Sequence, residues 1–446
     1  PGTADLPPIQ EDRLLRVVRW QLGDQVGSLR SPPTAPESAG VPNPFDEINR
    51  IGIPVSPFPR WMLCPRCRLL APISTGLFVF KPDAYRPDRT KYVHATCPKA
   101  NSPSVVPARF LVACENGHLD DFPWVEFVHK GPTDCPAIIR LQERGPSGEV
   151  SDLLLACDTC EKKRLLSAAF GKFGPYNLPM CRGRRPHLRD YEPTGCDQRV
   201  RAILLGASNL WFPEVLSALA IPTQTDRLMQ LVEERWADLQ NVNSFNIVQY
   251  LRSSGRLGSL VAFSDDDIWD AIQRKQTQAQ AGTPAGQVDL KQLEWDVLTR
   301  PSTAPSAEDF RIREVAVPSA YGDFIERVVL VERLREVRAQ IGFTRIEAPE
   351  ELDEATDSST VRRMPLTRSD PTWVPATEVR GEGVFVQFKE TRIQRWLGED
   401  AVKRRSAQFQ QSHARWRKAR KLDPPDANFL GMRYVLLHSF AHALMR

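Results

Sequence analysis

The chain has 446 residues, 41% of them hydrophobic, and its 59 lysines and arginines nearly balance 55 aspartates and glutamates for a formal charge of +4. That length allows two to four domains with real cores, while so small an excess of cations points only weakly to polyanionic partners. No run of about 18 apolar residues occurs, which excludes an apolar membrane-spanning helix, and 38 prolines predict long, stiffened connections.

Residues 1–60 contain one helical candidate, Glu11 to Leu22, followed by a Pro/Ser/Gly-rich stretch from Ser31 to Pro44. This part reads as an arm or docking segment with a linker. The chain starts without Met and stops inside an apolar stretch, so it reads as a truncated protein.

All nine cysteines fall between Cys64 and Cys196, and the Cys64–Cys67 and Cys157–Cys160 pairs each have two-residue gaps. Such knuckles, followed by single Cys or His residues at zinc-site distances, indicate metal binding. The odd cysteine count and the lack of a visible signal peptide speak against disulfides and for the cytoplasm. By spacing, Cys157, Cys160, Cys181 and Cys196 form one closed four-thiolate site. Cys64, Cys67 and Cys97 want a fourth ligand, with His94 and Cys114 as candidates, because Ala100 stands where a second Cys-x2-Cys would place a cysteine. Cys114-x3-His118 with His129-x5-Cys135 is a further four-ligand combination, so two or three zinc ions are expected. Two is the favoured number, since His118 and His129 also read as ordinary hydrogen-bonded histidines and Cys135 as a buried thiol. Such zinc would be structural, holding a loop-rich region of residues 61–200 with short β-prone runs in shape.

From about 201 the pattern turns helical. Helices are expected from Glu214 to Ala220, after Asp226 with Leu228, Leu231, Val232, Trp236 and Leu239 as its apolar positions, and after a Ser264/Asp267 capping box. Residues 276–310 read as an exposed connection, closing a helical region of 201–310. Asp323 to Ile341 reads as a helix with Leu330, Leu334, Val337 and Ile341 on one face and Gly342 as its C-cap. Val379 to Lys389 switches to period two and predicts a strand. A charged helix follows from about Asp400 to Lys421, and Phe429 to Met445, apolar on nearly every face, predicts a core helix.

Two clusters invite a chemical reading. His438-x3-His442 has zinc-peptidase spacing, but Ser439 replaces the catalytic Glu, so hydrogen bonding into a neighbouring element or a missing C-terminal part is the better reading. Lys403, Arg404, Arg405, Arg415, Arg417, Lys418, Arg420 and Lys421, interleaved with Phe409 and Trp416, could follow a phosphate backbone and stack on bases, or form a solvated face or a seat for an acidic partner. No Gly-x4-Gly-Lys-Ser/Thr and no Gly-x-Ser-x-Gly occurs, so no catalytic residue is assigned.

Four longer runs carry a resemblance: RFLVACENGHLDDFPW (Arg109 to Trp124), GASNLWFP (Gly206 to Pro213), EVRGEGVFVQF (Glu378 to Phe388) and LLHSFAHALMR (Leu436 to Arg446). They resemble the DrmB family, the helicase-associated components of the bacterial anti-phage system DISARM. The last run is similar to the start of a helicase-associated domain that also ends some DNA helicases. The resemblance implies a non-catalytic subunit that pairs with a DrmA-like helicase as a heterodimer and helps recognise phage DNA. A nuclease or hydrolase completed by a missing C-terminus is the alternative. The expected fold is α+β and multi-domain: a zinc-ribbon-like cysteine-rich region, a helical middle, and an incomplete C-terminal α/β domain over 311–446.

Overall fold

The computed structural model describes residues 6–33, 53, 55–145, 148–222, 228, 231–232, 234–278, 290–303, 307–348, 363–419 and 424–445. They form a mixed α and β protein of two units. One comprises Pro1–Ala218, Ala281–Leu290 and Val337–Val379; the other comprises Leu219–Gln280, Lys291–Glu336 and Arg380–Arg446. These units cut across the four consecutive stretches read from the sequence. Most of the Pro/Ser/Gly-rich stretch and Asp226 lie outside the described residues.

In the first unit, β1 (Pro8–Ile9), α1 (Asp12–Leu22) and β2 (Ser28–Arg30) open the chain. Leu14, Val17 and Val18 recur at helical spacing on α1 and are fully buried. The stretch from Ile9 to Leu29 is therefore part of a core and not a free arm. That core also contains Leu216 and Ala218 of β16 (Phe212–Leu219), Val337, Ala339 and Ile341 of β18 (Ile325–Thr344), and Val374 and Ala376 of β19 (Trp373–Phe388).

Two helix expectations fail here. Residues Glu214 to Ala220 and Asp323 to Ile341 lie largely in the strands β16 and β18. Along β18 burial alternates from Val337 through Ala339 to Ile341, so period two wins over the i, i+3, i+4 pattern that the same residues also fit. Its valines suit a pleated, partnered surface better than a helix. Gly342 caps no helix: a Cβ there would sit 2.3 Å from Arg363 Cγ and 3.0 Å from the Met364 carbonyl oxygen.

The cysteine-rich part of this unit is built from short strands. A six-stranded sheet runs in the order β12 (Lys163–Leu165), β11 (Leu153–Cys157), β10 (Ile139–Glu143), β4 (Leu69–Pro72), β3 (Trp61–Leu63) and β7 (Val106–Pro107). Beside it stand a three-stranded sheet of β15 (Arg201–Leu204), β8 (Phe110–Ala113) and β9 (Leu119–Asp121), and two ribbons, β5 (Val79–Lys81) with β6 (Lys91–Val93) and β13 (Arg184–Arg185) with β14 (Asp190–Tyr191). The core between them includes Phe110, Phe122, Trp124 and Phe127, the last two on α2 (Trp124–His129).

The second unit has a helical part, α3 (Trp236–Leu239), α4 (Phe245–Ser253) and α5 (Asp265–Gln278), around Leu239, Val248, Leu260 and Ile268. The capping box holds: the Asp267 N–H donates to Ser264 Oγ at 3.1 Å. The expected connection over 276–310 contains α6 (Leu290–Thr299), where Glu294 Oε1 accepts the Leu219 N–H at 3.0 Å. Here β17 (Arg311–Val315) pairs antiparallel with β18, and Phe385 of β19 packs against Trp295. The expected strand and charged helix both form, as β19 and α8 (Asp400–Ala419), with α7 (Glu390–Leu397) between them. The last helix, α9 (Gly431–Leu444), departs from expectation: among the described residues only Met432 on it is buried.

Candidate metal centres and the basic helix

Three clusters of four ligands emerge, each with all its donor atoms within 4.8 Å of one another: Cys64, Cys67, His94 and Cys97; Cys114, His118, Cys181 and Cys196; and His129, Cys135, Cys157 and Cys160.

The first starts where β3 ends. The Cys64 N–H donates to the Leu69 carbonyl at 2.8 Å, the Arg68 N–H returns to the Cys64 carbonyl at 2.9 Å, and Arg68 takes φ 64°. This tight turn aims both knuckle thiols to one side. The stretch after β6 supplies the other two donors, leaving Cys67 Sγ 3.4 Å from His94 Nδ1 and Cys64 Sγ 3.9 Å from Cys97 Sγ.

The third cluster repeats the turn. Cys157 N–H donates to the Lys162 carbonyl and Glu161 N–H to the Cys157 carbonyl, both at 2.9 Å, with Glu161 at φ 61°. His129 closes α2 and donates its Nδ1–H to the Val125 carbonyl at 2.7 Å. That bond puts the proton on Nδ1 and leaves the Nε2 lone pair for the cluster, 3.1 Å from Cys160 Sγ. Cys135 Sγ lies 3.8 Å from Cys157 Sγ.

The second cluster sits on the β8–β9 turn. Gly117, at φ 85°, allows the chain to fold back so that Cys114 Sγ meets His118 Nδ1 at 3.4 Å. Cys181 and Cys196 arrive from the loops on either side of the β13–β14 ribbon, and Cys114 Sγ lies 3.9 Å from Cys196 Sγ.

This regroups the ligands expected from spacing. Cys157 and Cys160 do not meet Cys181 and Cys196. The antiparallel pairing of β10 with β11 sets Ile139 opposite Cys157, which brings Cys135, four residues before Ile139, to the knuckle. His94, not Cys114, completes the first cluster, and His118, His129 and Cys135 join clusters instead of standing apart.

The donor chemistry fits a tetrahedral ion. With metal–sulfur bonds of about 2.3 Å and metal–nitrogen bonds of about 2.1 Å, the edges of a zinc tetrahedron are about 3.8 Å for S···S and 3.6 Å for S···N. The sulfur separations match, and they lie far above the roughly 2.05 Å of a disulfide. The crowded thiols also oppose one another's ionisation. A hydrogen bond from Cys181 chiefly draws the Cys114 thiol down to about 4. Desolvation, then neighbouring Cys157, push Cys135 up to about 11. A bound cation would let all of them ionise together.

Residues without ligand spacing hold these clusters in place, and the sequence reading missed them. Arg140 on β10 donates to the Cys67 carbonyl at 2.5 Å and pairs with Asp158, inside the other knuckle. Asp120 and Asp121, buried on β9, receive Arg182 and Arg184, while Asp121 Oδ1 also caps the Arg60 N–H at 2.7 Å. Buried Arg345 donates its Nε–H to the Gly117 carbonyl at 2.8 Å. The only sequence signal for these contacts is charge inside apolar runs.

The basic candidates on α8 are partly accessible. Arg404, Arg405, Arg415, Trp416 and Lys418 are exposed, and at about 100° per residue Arg404, Arg415 and Lys418 share one face within about 60°. Arg417 departs from expectation: it is buried and donates to the Pro424 carbonyl at 3.0 Å. Arg420 and Lys421 lie outside the described residues. His438 and His442 bond each other, Nε2 to Nε2 at 3.1 Å, and among the described residues neither bonds a neighbouring element.

A family model described only as a domain of unknown function, DUF8724, matches residues 3–212, a span that contains all three clusters. Over 410 residues, 88% of this chain and 69% of the relative, the sequence is 30% identical to the DISARM protein DrmB of Bacillus paralicheniformis. The chain belongs to the DrmB family. For this DrmB-family chain, Cys and His clusters able to hold metal ions are thus features of the region the domain of unknown function spans. No helix among the described residues is long and apolar enough to cross a membrane.

Proposed function

We propose that the chain is an accessory, non-catalytic subunit of a DISARM anti-phage complex, held in shape by three structural zinc ions, that binds a DrmA-like helicase and helps recognise phage DNA in the cytoplasm. Its kinship with the DISARM protein DrmB carries this reading. The absence of a P-loop from the sequence supports it, since nucleotide hydrolysis would then fall to the partner. Each cluster's four protein donors fill a tetrahedral ion's coordination, which suits a structural site rather than a catalytic one that keeps a position for water. Exposed Arg404, Arg415 and Lys418 supply the phosphate-tracking part of the DNA contact, and exposed Trp416, about 100° round the helix from Arg415, the base-stacking part.

The test is co-purification with a helicase subunit and an ATPase assay. A complex that survives gel filtration at moderate salt, with hydrolysis abolished by a P-loop mutation in the partner, is the expected result. ATP hydrolysis or DNA cleavage by the chain alone would move the nuclease or hydrolase reading ahead.

A further inference from the structure

The ribbon β5–β6 leads into the first cluster, with the Val105 N–H donating to the Tyr92 carbonyl at 3.0 Å, and carries an unusual surface. Two strands alone are marginal in water, and the base of this one is fixed by buried Phe78, which packs edge-on to His94 at 5.4 Å. On one face Phe80 lies directly across from Tyr92, with their rings 5.0 Å apart. Phe80 is 49% exposed and Tyr85, in the connecting loop, 73% exposed. On the other face Lys81 stands directly opposite Lys91. Like charges in that position weaken a strand pair, so the ribbon carries an electrostatic cost that its own fold does not relieve. Among the described residues neither lysine has a carboxylate partner, nor has Arg89. Residues 60–100 hold eight lysines and arginines against two aspartates, a formal +6 in a chain whose total is +4.

We infer that the β5–β6 ribbon is a binding site for single-stranded nucleic acid, with Lys81 and Lys91 taking successive phosphates and Phe80 and Tyr85 stacking on bases. A polyanion relieves the lysine repulsion, and exposed rings accept any base. Arg66, between the knuckle cysteines, and Lys99, two residues after Cys97, are exposed next to ligands of the same cluster and add to its cationic surface. The inference adds a contact site to the proposed DNA role but does not depend on α8 being the contact.

The experiment uses the full chain and a fluorescein-labelled 20-nucleotide oligo-dT, with a 20-base-pair blunt duplex and polyglutamate as competitors. Lys81→Glu replaces repulsion with a cross-strand ion pair, so the ribbon should persist, checked by unchanged metal content; Lys81→Gln serves if it does not. Expected are about tenfold weaker oligo-dT binding and a salt slope flatter by about 0.7 for Lys81→Gln, which removes one phosphate contact. Phe80→Ala and Tyr85→Ala should each weaken binding about tenfold, with a nearly unchanged slope. Parent-like binding by the Lys81 variants overturns the inference. So does displacement by polyglutamate with no effect of Phe80→Ala, which would mark a seat for an acidic protein. Loss only in an Arg404→Glu/Arg415→Glu variant places the contact on α8 and removes it from the ribbon. Loss only in the ribbon variants does the reverse.

Discussion

Arg345 offers a way to weaken one cluster without touching a ligand. Its side chain is 7% exposed, donates to the Gly117 carbonyl at 2.8 Å and to the Leu210 carbonyl, and lies 4.7 Å from the Phe343 ring. Gly117 belongs to the turn that brings Cys114 to His118. Arg345→Met keeps most of the buried volume but orphans two carbonyls, each costing about 1–3 kcal/mol. Some of that returns because a guanidinium no longer has to be stripped of water, so a net loss of about 2–4 kcal/mol is expected. If all of it acts on the second cluster, the hold on that metal weakens by about 30- to 800-fold. Two units make a single unfolding free energy ill-defined, so the assay is metal transfer to a coloured chelator, resolved by phase. One of three equivalents should leave early in Arg345→Met while the other two keep their parental rates. A transfer profile within threefold of the parent in every phase would refute the reasoning.

Elemental analysis should find three zinc ions per chain, and Cys181→Ser should lose one while the knuckle of Cys157 and Cys160 keeps its own; joint loss of a single ion by Cys157→Ser and Cys181→Ser would restore the grouping by spacing. Arg140→Ala, which unties the knuckles from each other, should speed chelator transfer from the first and third clusters but not the second. Arg185 holds the Asp190 carboxyl below its usual range, so the stabilisation is complete above the ordinary aspartate pKa near 3.8 and is lost as the pH falls below it. The urea transition of the first unit, which holds both residues, should therefore move to lower denaturant from pH 6 to pH 3 more steeply in the parent than in Asp190→Asn, and parallel shifts would count against the pair.

The clustering of nine cysteines, the two knuckles, the capping box at Ser264 and the alternation in Val379 to Lys389 were all legible because each signal is local. A knuckle turn needs only a few residues and one left-handed backbone position, and an N-cap needs four residues. Which single ligands meet which knuckle is not local. That Cys135 joins Cys157, and that Cys181 joins Cys114, follows from strand pairings and loop paths that residue spacing does not encode.

The same division explains the failed helices and the misread arm. Residues 325–344 fit both a 3.6 and a 2.0 period, and only the neighbouring strands, with Met364 pressed against Gly342, decide for the strand. The helix Asp12–Leu22 is written in its own apolar spacing, yet its burial depends on strands more than 200 residues later. Composition and local pattern thus determined the elements with one unambiguous period, the donor types and the family resemblance. Tertiary structure alone decided the partners, because ligand sets, buried ion pairs and strand choice are set by contacts between residues far apart in the chain.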